Sequence, residues 1–267
     1  MTGTNSAGRI LAILDVFSES QPEWTSERLM EKLGYSRPTL YRYLKALREA
    51  GLVTSLSGGA YALGPRLVEL DYLMRRSDPL IRHGRAHLQS LVAKYSCSGL
   101  LVRWYGQKLL CVASECSDKN AVTSYPRGRP MPLARGAISR VIMAFLPRRR
   151  LEALVDEQSR DFAAIGLGTS VDAIAGTLRA VRRDRVAVAH GEVTPGVIGV
   201  AGPVFDAGSV PIASLSITIS GHNVSAELLR AIRTDVRHAA AILSEKLDRD
   251  RNTEFAEPER PYITKVG

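Results

Sequence analysis

The stretch whose reading decides the fold is Ser36 to Leu56, SRPTLYRYLKALREAGLVTSL. Ser36 is a good helix N-cap, and Pro38 falls in the first turn, where a missing N–H costs little. Leu40, Leu44 and Leu47 recur at helical spacing and give one apolar stripe. Thr39, Arg42, Lys45 and Ala46 point away from that stripe, and Tyr41 flanks it. Arg37, Arg42, Lys45 and Arg48 all precede the first acid, Glu49, and Gly51 is placed to end the helix. A leucine-lined inner face with a basic, hydroxyl-bearing outer face suits the major groove of DNA. The candidate DNA-contacting residues are Ser36, Arg37, Thr39, Tyr41, Arg42 and Lys45.

Working outward, residues 9–18 predict a helix with Ile10, Ile13, Leu14 and Phe17 inward. Residues 27–33 predict a second, capped by Thr25 or Ser26, with Leu29 and Leu33 as its core pair. Gly34-Tyr35 is the turn before the decisive helix, so the order is that of a helix-turn-helix. Downstream, residues 52–56 and 60–63 flank Ser57-Gly58-Gly59, a hairpin with a glycine-rich tip, placed as a wing. Residues 66–76 predict a helix that Leu67, Leu70, Tyr72, Leu73 and Met74 cover with apolar surface, suited to packing on its copy in a dimer. A domain boundary falls near Ser77. The pattern leaves an alternative open: a small-molecule-binding protein or enzyme whose N-terminal helices are a partner-binding module. Arg42, Lys45 and Thr39 together on an outward face favour DNA.

The remainder predicts mixed α and β structure. Residues 99–105 and 108–113 read as a hairpin, and 117–132 as a long loop. Helices are expected over 134–146, 148–158 and from Thr169 or Ser170 to Arg182. Strands are expected over 186–189, 196–205 and 210–220, and a closing helix over 224–247. Strands joined by hairpins imply an antiparallel sheet with helices on its faces. Residues 1–7 and the polar stretch 251–267 read as disordered. In the last strand Ser214, Ser216 and Thr218 alternate with Leu215, Ile217 and Ile219, one hydroxyl face and one aliphatic face. Hydroxyls on an inner face need partners, a ligand or water among them. Gly199, Ala201 and Gly202 leave space above the sheet, either for a ligand or for a closely packed helix.

Composition narrows the class. The 267 residues suffice for two domains, each with a core, and the net charge of +9 favours an anionic partner. Residues 1–77 hold ten Lys/Arg against eight Asp/Glu, so most of the excess lies further on. The runs at Arg148–Arg150 and Arg179–Arg185 read as solvated helix ends. Three cysteines, Cys97, Cys111 and Cys116, lack metal spacing and point to a reducing compartment. No apolar run approaches membrane-spanning length and the N-terminus has no signal-like apolar region, so a cytoplasmic protein with no membrane partner is expected. His83 and His87 lie four apart, but HGRAH lacks a metalloprotease glutamate. Gly166-Leu167-Gly168 lacks the rest of a dinucleotide fingerprint, and no serine sits in a G-x-S-x-G elbow. No catalytic residue, metal ligand or cofactor is expected.

With these segments in view, the chain over about residues 8–247 resembles the IclR family of bacterial transcription regulators. The resemblance rests on GRILAILDVF, SRPTLYRYLKALREAGLV and YALGPRLVEL in the first domain. In the second it rests on YPRGRPMPLARGAISRVIMAFLP and GVIGVAGPVFDAGSVPIASLSITIS. It implies an α+β protein with three parts: a winged helix-turn-helix, a linker helix, and a GAF-like effector-binding domain with an antiparallel sheet. The domains would be residues 1–77 and 78–250, with 251–267 as the tail. It also implies dimers or tetramers on palindromic operators, repressing or activating in response to a small molecule. By alignment, the ligand-contacting positions fall on Asn120, Ala137, Ile138, Ala189, Val197, Gly199, Ser216 and Thr218. His190, beside Ala189, would supply a donor. Family members commonly carry Gly-Lys-Ala where this chain has Ile138-Ser139-Arg140-Val141, and His-Ala where it has Ala134-Arg135. The apolar positions suit an effector with an apolar body and a polar end, such as a small organic acid, aromatic acids included. Arg127, Arg129 or Arg135 would pair with its carboxylate.

Overall fold

The structure is a computed structural model that describes residues 6–117, 126–222 and 224–256. The chain divides into two compact units, Met1–Ser77 and Asp78–Gly267.

In the first unit, α1 (Ser6–Asp15), α2 (Ser26–Leu33) and α3 (Arg37–Glu49) close around one core. Ile13, Leu29, Leu40, Tyr43, Leu44, Leu47, Val53 and Tyr61 are its buried members. The leucine stripe of α3 faces that core, as its spacing requires. Thr25 caps α2 by accepting the Arg28 N–H, and Gly34 ends it at φ 66°. Ser36 caps α3 only through its backbone conformation; its hydroxyl donates to Thr39 Oγ1 at 3.0 Å instead. The wing is β2 (Val53–Ser55) and β3 (Ala60–Leu63). A two-residue strand, β1 (Trp24–Thr25), joins it, giving the order β1-β3-β2. α1 starts at Ser6 and stops at Asp15, earlier at both ends than residues 9–18. Ser18 bonds back to Gln21 and turns the chain away from the helix. α4 (Arg66–Ser77) follows the wing and has no buried residue; Val68 is 70 % exposed and Leu73 and Met74 are each 53 %.

The second unit is a six-stranded antiparallel sheet of order β6-β5-β4-β9-β8-β7. Its strands are β4 (Ser98–Trp104), β5 (Leu109–Cys116), β6 (Pro130–Met131), β7 (Ala187–His190), β8 (Val197–Val204) and β9 (Ala213–Ser220). The helices are α5 (Pro79–Tyr95), α6 (Ala137–Met143), α7 (Arg148–Ala164), α8 (Val171–Asp184) and α9 (Ala226–Ala256). Strand alternation sorts the core. Leu215, Ile217 and Ile219 of β9 pack with Leu88 of α5 and Val236 and Leu243 of α9. Leu100, Val102, Ala189 and Ala201 pack on the other face with Ala137, Ile138, Val141 and Ile142 of α6.

Gly202 serves helix packing: a Cβ there would stand 2.8 Å from the Ala240 Cβ of α9. Gly199 faces the other way, toward Ala137 of α6. α6 is shorter than residues 134–146 because Gly136, at φ 94°, cannot continue a helix. α9 runs past residue 247 to Ala256, taking in the start of the expected tail; residues 248–256 contain no Gly or Pro to stop it.

Candidate functional site

The outer face of α3 carries the first candidate set. Ser36, Arg37, Arg42 and Lys45 are exposed, and Thr39 is half-buried. Tyr41 is 41 % exposed, yet its hydroxyl donates to Ser26 Oγ at 3.3 Å and so braces α3 against α2. The Ser26 contact, then the Arg37 guanidinium, holds its phenol below the usual range. Arg37 stacks on the Tyr41 ring at 5.6 Å and Arg42 on the Tyr43 ring at 5.3 Å. Tyr43 is buried in the core, edge-on to Tyr35. Each arginine is thus held over an aromatic base with its donors outward, a pre-organised arrangement for phosphate or base edges. Lys45 lies 3.9 Å from Glu49, an exposed pair that ionic contacts with DNA would replace at little cost.

The second set lies between the sheet and α6, around a cavity of about 60 Å³. Ala137, Ile138, Ala189, Val197, Gly199, Ser216 and Thr218 all line it. His190 does not: it is exposed at the end of β7, because strand alternation turns it outward when Ala189 turns in. Asn120 lies outside the described residues. Ser216 donates to the Leu100 carbonyl at 3.4 Å, whereas the buried Thr218 hydroxyl has no partner among the described residues. The apolar lining is Leu100, Met131, Val193 and Val200 besides those above. Arg135 reaches the rim but is paired with Asp161.

Sequence reasoning missed an ion pair of which one member, Glu192, lines the cavity. Arg140 of α6 and Glu192 of the β7–β8 connection form an ion pair, 18 % and 13 % exposed. Glu192 Oε2 also accepts the Gly136 N–H at 2.9 Å, and Arg140 donates to the Val188 carbonyl at 3.0 Å. The available signal was a lone charge, Arg140, in the mostly apolar ISRVIM segment, which a largely buried helix holds poorly without an acid.

Other candidate chemistry is structural. Among the described residues no group of three or more His, Cys, Asp and Glu side chains is arranged to hold a metal ion. His83 bonds to Asp250 at 2.6 Å, and His87 sits between α5 and α9 with its Nε2 buried. Burial pushes the Cys97 thiol up to about 12 and the Cys111 thiol up to about 11, so neither is a ready nucleophile. No helix among the described residues is long and apolar enough to cross a membrane.

A winged helix-turn-helix joined to a sheet domain with an internal cavity defines a class, that of ligand-sensing DNA-binding proteins. Comparison with known proteins narrows it. Residues 6–57 match the IclR helix-turn-helix domain model, and residues 77–245 the model of the bacterial transcriptional regulator IclR C-terminal domain. The Escherichia coli K12 HTH-type transcriptional regulator XynR is 28 % identical over 244 residues, 91 % of this chain and 96 % of that protein. An IclR transcriptional regulator from Alicyclobacillus acidocaldarius superposes with a TM-score of 0.76 at 22 % identity, over 91 % of this chain and 98 % of that one. An IclR homologue of Microbacterium hydrocarbonoxydans, solved with 4-hydroxybenzoate, gives 0.74 at 18 % identity, over 92 % and 100 %. The two structural likenesses speak for the fold. The chain belongs to the IclR family. It is a transcriptional regulator, not an enzyme, with a DNA-binding helix-turn-helix and an effector-binding domain.

Proposed function

We propose that this regulator acts in the cytoplasm on a palindromic operator in double-stranded DNA, as a homodimer or tetramer, and responds to a small organic acid. Residues 1–77 would form the DNA-binding domain with its linker helix, and residues 78–250 the effector-binding domain. The reading of the cavity rests on one observation above others. Thr218 keeps a buried hydroxyl with no partner among the described residues, in a mostly apolar cavity where leaving it unsatisfied costs about 1–3 kcal/mol. A ligand with a polar end and an apolar body removes that cost. The Microbacterium neighbour carries an aromatic acid, which supports the same ligand class here. The exposed face of α4, with Val68, Leu73 and Met74, supports self-association, and a two-fold dimer suits two equivalent half-sites.

The test is a thermal-shift screen of small aromatic and aliphatic acids, because a ligand that binds only the folded state raises Tm by mass action. A stabilising acid should lose its effect in the Ser216→Val/Thr218→Val double variant. An undiminished shift in that variant would place the pocket elsewhere.

A further inference from the structure

The cavity of about 60 Å³ is too small for its proposed ligand. That volume holds about two waters, and small-molecule pockets run to roughly 300 Å³ or more. One wall must therefore move. The wall built from residues 191–196, Gly-Glu-Val-Thr-Pro-Gly, has the means. Gly191 and Gly196 flank it at φ 66° and 73°. Between them Glu192, Val193 and Thr194 all line the cavity. The segment closes on itself through the Gly191 N–H to the Val197 carbonyl, at 2.8 Å. One polar tie to α6 is the Glu192 carboxylate, which pairs with Arg140 and accepts the Gly136 N–H; the Gly196 carbonyl at the far end accepts the Gly221 N–H at 2.7 Å.

We infer that Glu192 is an internal stand-in for the effector's carboxylate: an acid entering the cavity takes Glu192's place on Arg140, and the freed Glu192 lets residues 191–196 swing out to enlarge the site. This rests on the cavity being the effector site. The argument is one of charge. Arg140 stays charged whatever its partner does, and a buried guanidinium without a counter-ion is strongly unfavourable. A neutral ligand cannot release Glu192, since Arg140 would be left unpaired. A carboxylate can, because one anion replaces another on the same guanidinium. An acid bound with Glu192 still in place would meet a like charge from the cavity's own lining. Arg140 does not itself line the cavity, so an acid reaches it only where Glu192 does now; Arg135, which does line it, already pairs with Asp161. Ligand binding becomes coupled to a backbone movement beside β7 and β8, a structural change that a regulator can transmit.

The experiment is hydrogen–deuterium exchange on the full chain, read at residues 191–197, with benzoate as the acid probe and benzyl alcohol as its uncharged counterpart. Glu192→Gln should raise exchange there about tenfold, the loss of a charge-assisted hydrogen bond. Benzoate should raise exchange in the wild type, and benzyl alcohol at the same concentration should not. Glu192→Gln leaves Arg140 without its counter-ion and Arg140→Met strands Glu192, so either single variant can destabilise the chain and the Arg140→Met/Glu192→Gln double variant is the cleaner control. It should fold and lose the benzoate response. Unchanged exchange in Glu192→Gln, no response of the wild type to benzoate, an equal response to benzyl alcohol, or a benzoate response that survives in the Arg140→Met/Glu192→Gln variant would each overturn the inference. Its failure is distinguishable from that of the cavity reading. If the acid's thermal shift vanishes in Ser216→Val/Thr218→Val but survives unchanged in both Glu192 variants, only the stand-in role has failed.

Discussion

Gly64 holds a place that no other residue can take. A Cβ there would lie 2.1 Å from the Gly51 carbonyl oxygen, where the strand leaving the wing returns past the end of α3. Its N–H donates to the Leu52 carbonyl at 2.8 Å, so the backbone cannot back away without losing that bond. Gly64→Ala should cost more than about 3 kcal/mol, the range reserved for forced overlaps in a packed region. A urea midpoint within experimental error of the wild type would refute that. Thr218 gives the opposite expectation. Thr218→Val keeps the shape and removes a hydroxyl that has no partner among the described residues. The ligand-free protein should gain about 1 kcal/mol and a higher Tm, while its response to an acid weakens. A variant that loses stability would show that the hydroxyl is satisfied in solution.

Helices α5 and α9 lie on one face of the sheet, held at their ends by charge. Lys94 and Tyr95 both bond to Asp235 at 2.6 Å, and Arg82 and His83 both reach Asp250. Between them His87 is partly buried, and burial first, then Lys246, His238 and His83, lowers its proton affinity. A base whose folded pKa is depressed favours the folded state above its unfolded pKa, about 6.5, and loses that advantage as pH falls below it. Stability should therefore drop as pH falls below about 6.5, and the drop should shrink in His87→Gln. Denaturant midpoints at a series of pH values check this; equal slopes in both proteins would contradict it.

Elements with strong periodicity were legible in the sequence, α3 through Leu40, Leu44 and Leu47, and β9 through its alternating hydroxyls. β1 was not, since two residues carry no period and Trp24 is a strand only because it pairs with Tyr61. The α6 boundary was hidden because helix-compatible residues lie on both sides of Gly136, and only its backbone, at φ 94°, sets the start. Alternation already excluded His190 once Ala189 was taken as inward. Glu192 escaped because its partner lies 52 residues away, beyond any local pattern.

At the scale of the whole molecule, α4 should make the protein at least dimeric. Leu70, Tyr72, Leu73 and Met74 are exposed on one short helix, more apolar surface than a monomer usually leaves in water. Leu73→Glu should shift sedimentation toward monomer, and a wild type already monomeric at micromolar concentration would refute the assembly. On the proposed reading the basic outer face of α3 reads the DNA, presented twice by the dimer. Arg42→Ala should cost about 1–3 kcal/mol of binding to the operator, and Lys45→Ala should lower the salt slope by about one. Both side chains lie outside the core, so Tm should not change. The most direct measurement is fluorescence anisotropy of the full chain on duplex DNA from upstream of its own gene, against a scrambled duplex, at two salt concentrations. The account predicts tight, salt-dependent binding to the first, at least about a thousandfold weaker binding to the second, and loss of the difference in Arg42→Ala/Lys45→Ala. Equal affinity for both duplexes, or a double variant that binds like the wild type, would contradict it.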